Sequence, residues 1–189
     1  CYECDLGKID NVPGSALVVG GDAIGMGTDQ VRLTSGANPS QKGGVWYNKP
    51  LDLSCGFKAT ATFKWTGDAL SASCACVAIR SASSPKIGLP GVNCGLQTLR
   101  AYGVCMDTFG AHGLKEYRNG AYFADFESSN WTAATEHTLD LDWAPGRKLV
   151  VKRSGSADKT WEIDVSHDDM AAAVGGSLEK AYIGLTAGT

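Results

Sequence analysis

The sequence predicts an all-β chain, built as an antiparallel sandwich or barrel, on three observations. Two long segments alternate with a period of two, the spacing of a strand with one buried and one wet face. Several shorter strand-like segments recur at regular spacing with turn chemistry between them. The 24 glycines are scattered at turns and not periodic, and one short stretch reads as helix.

Val31–Thr34 reads as a short strand, followed by a Gly/Asn/Pro/Ser/Lys loop and a second short strand, Val45–Tyr47, which Pro50 closes. Phe57–Trp65 is the clearest strand. Phe57, Ala59, Ala61, Phe63 and Trp65 fall on one face, and Lys58, Thr60, Thr62 and Lys64 on the other. Cys74–Ser81 and Leu99–Phe109 are mostly apolar, as expected in the middle of a sheet. Thr135–Trp143 sets His137, Leu139, Leu141 and Trp143 against Thr138, Asp140 and Asp142. Lys148–Arg153 and Thr160–Val165 read as successive strands across the SGSADK turn, and Ala181–Ala187 as a further strand. Asp168–Val174 is the helix, with Asp168 expected to cap an alanine-rich turn.

A chain of 189 residues holds one core and is short for two. Net charge is −3 with no block of like charge, so composition excludes nucleic acid as the expected partner. No apolar run approaches the ~20 residues of a membrane helix, so no membrane insertion is expected. The chain opens Cys-Tyr-Glu-Cys without an initiator Met and reads as a processed piece of something longer. Seven cysteines, Cys1, Cys4, Cys55, Cys74, Cys76, Cys94 and Cys105, read as a disulfide framework in an oxidising compartment and as metal or redox ligands in the cytosol. The one CxxC lies at the extreme N-terminus without a second ligand pair, a weak signal for zinc. Asn130-Trp131-Thr132 is an N-glycosylation sequon. With the cysteines, and with the family resemblance described below, it points to an extracellular or cell-surface protein. Seven is odd, so one cysteine is expected free or bonded to another chain, with Cys1 or Cys4 the favoured spare.

The order of strand, polar loop, aromatic strand, "KPLDLS" and long amphipathic strand resembles the L-type lectins, the group of legume lectins and secretory-pathway cargo lectins. "LEKAYIGLTAGT" resembles the family's penultimate strand. The resemblance implies a concanavalin A-like antiparallel β-sandwich, or jelly roll, spanning residues 15–189, with residues 1–14 a cysteine-containing extension. It also implies one more aromatic-rich strand after Thr189, so that this sequence is expected to lack the last strand.

The same resemblance locates a metal and sugar site. Val104-Cys105-Met106-Asp107-Thr108-Phe109 aligns with the family's V-E-F-D-T-F. Asp107 then matches the central ligand shared by calcium and a transition metal. Phe109 matches the aromatic whose carbonyl binds calcium and whose ring lines the pocket. The Glu position holds Cys105 and the Asn position Ala111; Glu116 lies near the second Asp position and is the candidate to substitute there as a metal ligand, and His112 is too early for the metal histidine. The family's Ala-Asp-Gly falls on Ala72-Ser73-Cys74, leaving Ser73 at the sugar-contacting position and Asp68 as the nearest carboxylate. One matching carboxylate is a poor calcium cage, so no cofactor is expected. In the family the strands bearing Cys105 and Cys74/Cys76 are neighbours. A cross-strand disulfide from Cys105 to Cys76 or Cys74 is the expected replacement brace.

No catalytic order stands out. Glu162-Ile163-Asp164 resembles part of the E-x-D-x-E core of glucan hydrolases sharing this fold, but Ser166 and His167 follow where a third carboxylate belongs. Asp125 and Glu127 alternate in the same way and are read as polar-face residues, and His137 is read as packed. Exposed aromatics are the remaining binding signal: Trp131, Trp46-Tyr47 and Tyr117-Tyr122 are candidates to stack on sugars, although aromatics are more often core. The expected protein is a non-catalytic lectin-like module in carbohydrate recognition or adhesion, with glycans as partners. The alternative is a structural, self-assembling subunit of an extracellular fibre or wall, partnered by neighbouring copies and completed by a strand from another segment or molecule.

Overall fold

The cleanest alternation in the sequence forms the smaller of two facing sheets. In the computed structural model, which describes residues 17–26, 30–35, 40–65, 74–81, 93–108, 113–128, 136–155 and 158–189, the strands in chain order are β1 (Leu17–Gly21), β2 (Ile24–Gly25), β3 (Val31–Arg32), β4 (Lys42–Tyr47), β5 (Phe57–Lys64), β6 (Cys74–Arg80), β7 (Ala101–Asp107), β8 (Gly113–Arg118), β9 (Ala121–Ser128), β10 (Glu136–Trp143), β11 (Leu149–Ser154), β12 (Lys159–Ile163) and β13 (Tyr182–Gly188), with one helix, α1 (His167–Val174), before β13. All the pairings are antiparallel. A seven-stranded sheet runs β1-β4-β13-β6-β7-β8-β9, a four-stranded sheet runs β12-β11-β10-β5, and β2-β3 form a small third sheet.

β5 and β10 pair over their full length, Phe57 opposite Trp143 and Lys64 opposite Glu136. Because side chains alternate, this register stacks Phe57, Ala61 and Phe63 with Trp143, Leu139 and His137 on one face. The other face is wet. It carries the ion pairs Lys58–Asp142 at 3.5 Å and Lys64–Glu136 at 3.8 Å, and a Thr60 hydroxyl donating to Asp140 at 2.6 Å. β11 and β12 pair as successive strands, Val151 opposite Trp161.

β6 and β7 are buried at every position. Ala75, Val77, Ile79, Tyr102, Val104 and Met106 face the smaller sheet and, with Leu139, Leu141 and Trp143, make the main core. A Leu-sized side chain fully withdrawn from water stabilises by roughly 1.5–3 kcal/mol, so this layer is the chief source of stability. The indole of Trp143, 1% exposed, donates to the Val165 carbonyl at 3.0 Å.

The helix is capped one turn edge earlier than the sequence suggested. Ser166, not Asp168, is the N-cap: its hydroxyl accepts from the Asp169 N–H at 3.0 Å while the Asp169 carboxylate receives the Ser166 hydroxyl and N–H. Reciprocal bonding of this kind satisfies two donors, which a lone Asp168 cannot do. Residues 1–14, expected as an extension, lie outside the described residues.

Candidate functional site

β6 to β9 position the described residues that the sequence singled out for metal or sugar, apart from Trp46 and Tyr47 on β4. Cys76 lies opposite Cys105, Cys74 opposite Asp107, and Cys105 in turn opposite Lys115. Register therefore puts Cys74, Cys76, Cys105, Asp107 and Lys115 on one face, the outer face of the seven-stranded sheet.

That face is closed. Cys76 and Cys105 form a disulfide with their Cα atoms 4.0 Å apart, one of the two pairings the sequence left open. Cys74 bonds instead to Cys94, in the segment between β6 and β7. The second bond holds residues 93–100 over the sheet, where Cys94 and Leu96 are fully buried and Leu99 nearly so. With Trp46, Ala78, Ala101 and Tyr117 they form a second apolar cluster outside the sandwich proper. The Sγ atoms of Cys76, Cys94 and Cys105 lie within 4.8 Å of one another, so the two disulfides are adjacent. Among the described residues Cys55 is the free cysteine and is exposed; Cys1 and Cys4, the expected spares, lie outside them.

Asp107, 1% exposed, receives the Lys115 ammonium at 2.6 Å. Glu116 does not join it. It lies opposite Val104, on the core face, where Arg118 donates to it at 2.8 Å. Burial first, and then the Glu116 carboxylate, hold the Tyr102 hydroxyl well above the ordinary tyrosine range. Cys105, at the family's Glu position, has its sulfur committed to a disulfide. The donor set among the described residues thus does not fit calcium: one carboxylate is present on this face, and the Lys115 ammonium is ion-paired to it. Phe109, Ser73, Ala111, His112 and Asp68 lie outside the described residues, as do the sequon residue Asn130 and Trp131.

The aromatic candidates separate. Trp46 is buried beneath the Arg80 guanidinium, whose carbon stands 5.0 Å from the ring centroid. Tyr117 is 1% exposed, with its hydroxyl 3.9 Å from the Cys94 sulfur, and burial pushes that hydroxyl far up from its ordinary value. Tyr122, by contrast, is 51% exposed. Its hydroxyl donates to Asp125 at 2.8 Å, and that bond is the main reason its ionisation is pushed up.

The two carboxylate pairs sit in different surroundings. Glu162 and Asp164 are well exposed and share Lys148, at 3.9 and 3.8 Å. Glu127, read from the sequence as a wet-face residue, is instead buried, bridging the two sheets to Arg153 at 3.1 Å and Lys159 at 2.8 Å. Such a carboxylate is stable inside because two cations meet it. His137 is fully buried against Trp65, ring centroids 6.3 Å apart.

Sequence reasoning missed Lys115 as the partner of Asp107, and the whole β8–β9 hairpin. Asn119-Gly120 was its signal: both residues have positive φ, 54° and 73°, the two-residue hairpin turn that Asn-Gly favours. A Cβ at Gly120 would also lie 2.2 Å from the Leu99 carbonyl oxygen, so glycine is required twice over.

No protein-family model matches the sequence, and no curated protein matches it. Solved structures do. Peanut lectin in complex with a nine-residue peptide is 14% identical, with a TM-score of 0.76 over 93% of this chain and 84% of that one. Lectin UEA-II complexed with galactose is 15% identical, with a TM-score of 0.71 over 90% and 84%. The calcium-bound form of the VIP36 exoplasmic/lumenal domain is 17% identical, with a TM-score of 0.64 over 96% and 82%. Across nine-tenths of its length, this chain has the L-type lectin-like fold, a concanavalin A-like antiparallel β-sandwich.

Proposed function

We propose that this chain is a non-catalytic, lectin-like recognition module of a secreted or cell-surface protein, and that it binds carbohydrate without calcium. The observation that carries the calcium-independence is the Lys115–Asp107 pair, in which the protein supplies its own cation at the one matching carboxylate. The carbohydrate reading is supported by the likeness to lectins, one of them complexed with galactose. The non-catalytic reading is supported by Glu162 and Asp164, which are well exposed and both paired to Lys148. Two adjacent disulfides favour an oxidising compartment, and a glycan on Asn130 belongs to the same reading.

A glycan array run with and without EDTA tests it. Equal binding in both conditions is expected, and calcium should leave the melting temperature unchanged. Binding abolished by EDTA, or no binding at all, would sink the reading.

The second reading, a self-assembling subunit, is favoured by exposed apolar residues at the two ends of the seven-stranded sheet. Val19 (42% exposed) lies on β1, with Ile24 and Met26 just after it, and Tyr122 and Phe123 lie on β9. Size-exclusion chromatography under reducing and non-reducing conditions separates the readings. Concentration-dependent oligomers without sugar binding would reverse their order.

A further inference from the structure

We propose that the β8–β9 hairpin carries the sugar-stacking platform, with the Tyr122 ring as its floor and the Asp125 carboxylate as its polar rim, and that it takes a neutral pyranose. The proposal rests on the carbohydrate reading above and assigns it a place at the edge of the closed region around Asp107 and not on Asp107 itself.

The geometry begins with a departure from strand alternation. Tyr122 and Asp125 are three residues apart, so in a regular strand they would point to opposite faces. The β8–β9 pairing shifts register between Glu116 and Tyr117, and again between Leu114 and Lys115. Tyr122 pairs with Tyr117 but Ala124 with Glu116, leaving Phe123 as the extra residue of a bulge. That residue turns Asp125 onto the Tyr122 face, and the 2.8 Å hydrogen bond between their side chains follows. Bulges that re-aim a side chain recur beside functional sites.

The ring is exposed and yet held at two points. Its face-on freedom is limited by Tyr117, which meets it edge-on with centroids 6.2 Å apart and planes at 81°. Its hydroxyl is fixed by Asp125. Tyr117 is anchored in turn, buried with its hydroxyl at the sulfur of the Cys74–Cys94 disulfide. A half-exposed tyrosine of this kind has already lost the rotamer freedom that binding would otherwise remove, which is how rigid aromatic contacts gain affinity. Phe123, equally exposed, offers no such platform, because the Arg118 guanidinium lies over its ring at 3.8 Å.

A flat ring with a carboxylate at its edge fits a pyranose. The apolar C–H face of the sugar lies on the negative face of the ring, and a hydroxyl donates to the exposed Asp125 carboxylate in a charge-assisted bond. The sign of the rim excludes acidic sugars: Lys115, opposite Asp125 in the ladder, is engaged by Asp107, so Asp125 meets an anion with repulsion.

The test is a printed panel of neutral glucose, galactose and mannose oligosaccharides with sialylated and sulfated counterparts. Titration of the tightest neutral binder into wild type, Tyr122→Ala, Tyr122→Phe and Asp125→Asn follows. Tyr122→Ala should weaken binding tenfold or more, Asp125→Asn several-fold, and Tyr122→Phe, which keeps the ring, less than fivefold. Melting temperatures should stay within a few degrees of wild type. In solution, saturation of the protein's aromatic protons should transfer to the ring C–H protons of the sugar. If wild type binds no glycan, the carbohydrate reading fails and this site with it. If it binds and Tyr122→Ala binds equally well, or if only acidic sugars bind, the platform alone is refuted.

Discussion

The outer faces of the two sheets solve the same problem in opposite ways. On the four-stranded sheet, Lys58, Thr60, Thr62 and Lys64 meet Asp142, Asp140, Thr138 and Glu136, and water covers the rest. On the seven-stranded sheet, the centre of the outer face is apolar and dry, so it needs a lid of its own. Residues 93–100 supply that lid with Leu96 and Leu99, and two disulfides and one buried ion pair keep it and the strands beneath in place. A wet face is stabilised by many weak contacts, none of which matters alone. A covered face concentrates its stability in a few.

Removing those few contacts breaks the comparison most sharply. The double substitution Cys76→Ala/Cys105→Ala opens a loop whose ends lie 29 residues apart and should cost about 3–4 kcal/mol by chain entropy. The midpoint of denaturant unfolding measures it, with Cys55→Ser as the unaffected control. Next in size is Lys115→Met, which leaves the Asp107 carboxylate buried without its ammonium and should cost about 3 kcal/mol, the low end for a buried pair because the lysine side chain is 19% exposed. Lys115→Arg should recover most of it.

Ser166→Ala, at the helix cap on neither outer face, should cost about 1 kcal/mol. The Ser166 hydroxyl, and next its N–H, hold the Asp169 carboxyl below its ordinary value of 3.8. The carboxylate's share of the cap is therefore complete above pH 3.8 and is lost as the pH falls through the lower folded value. Ser166→Ala should flatten that acid limb, read by circular dichroism from pH 5 down to 2. The smallest effect belongs to the wet face: Lys58→Ala or Lys64→Ala should change stability by less than about 0.5 kcal/mol. A loss above 2 kcal/mol there would erase the contrast.

The same contrast governs what was legible from residues. β5 and β10 were readable because one of their faces is wet, so polarity marks orientation at every second position. β6 and β7 showed as apolar runs because both faces are covered. β8 and β9 were missed. In β8 Lys115 and Glu116 lie on opposite faces, each withdrawn from water onto a partner, Asp107 and Arg118, so hydropathy misreports the strand. In β9 two bulges break the period on which strand recognition depends. Glu127 was misjudged for a related reason: only Arg153 and Lys159, on the opposite sheet, make its burial affordable.

Alternation, turn residues and apolar runs are local properties, carried by neighbours along the chain, and they sufficed for the all-β class and most strand positions, while the lectin-like architecture was implied by the resemblance of the segment order to the L-type lectins. Pairing across strands is not local. That Cys105 takes Cys76 while Cys74 takes Cys94, that Asp107 meets an ammonium rather than Glu116, and that Tyr122 and Asp125 share a face all depend on register and bulges. A shift of one residue moves each side chain to the opposite face at almost no cost to the composition, so folding in three dimensions had to choose.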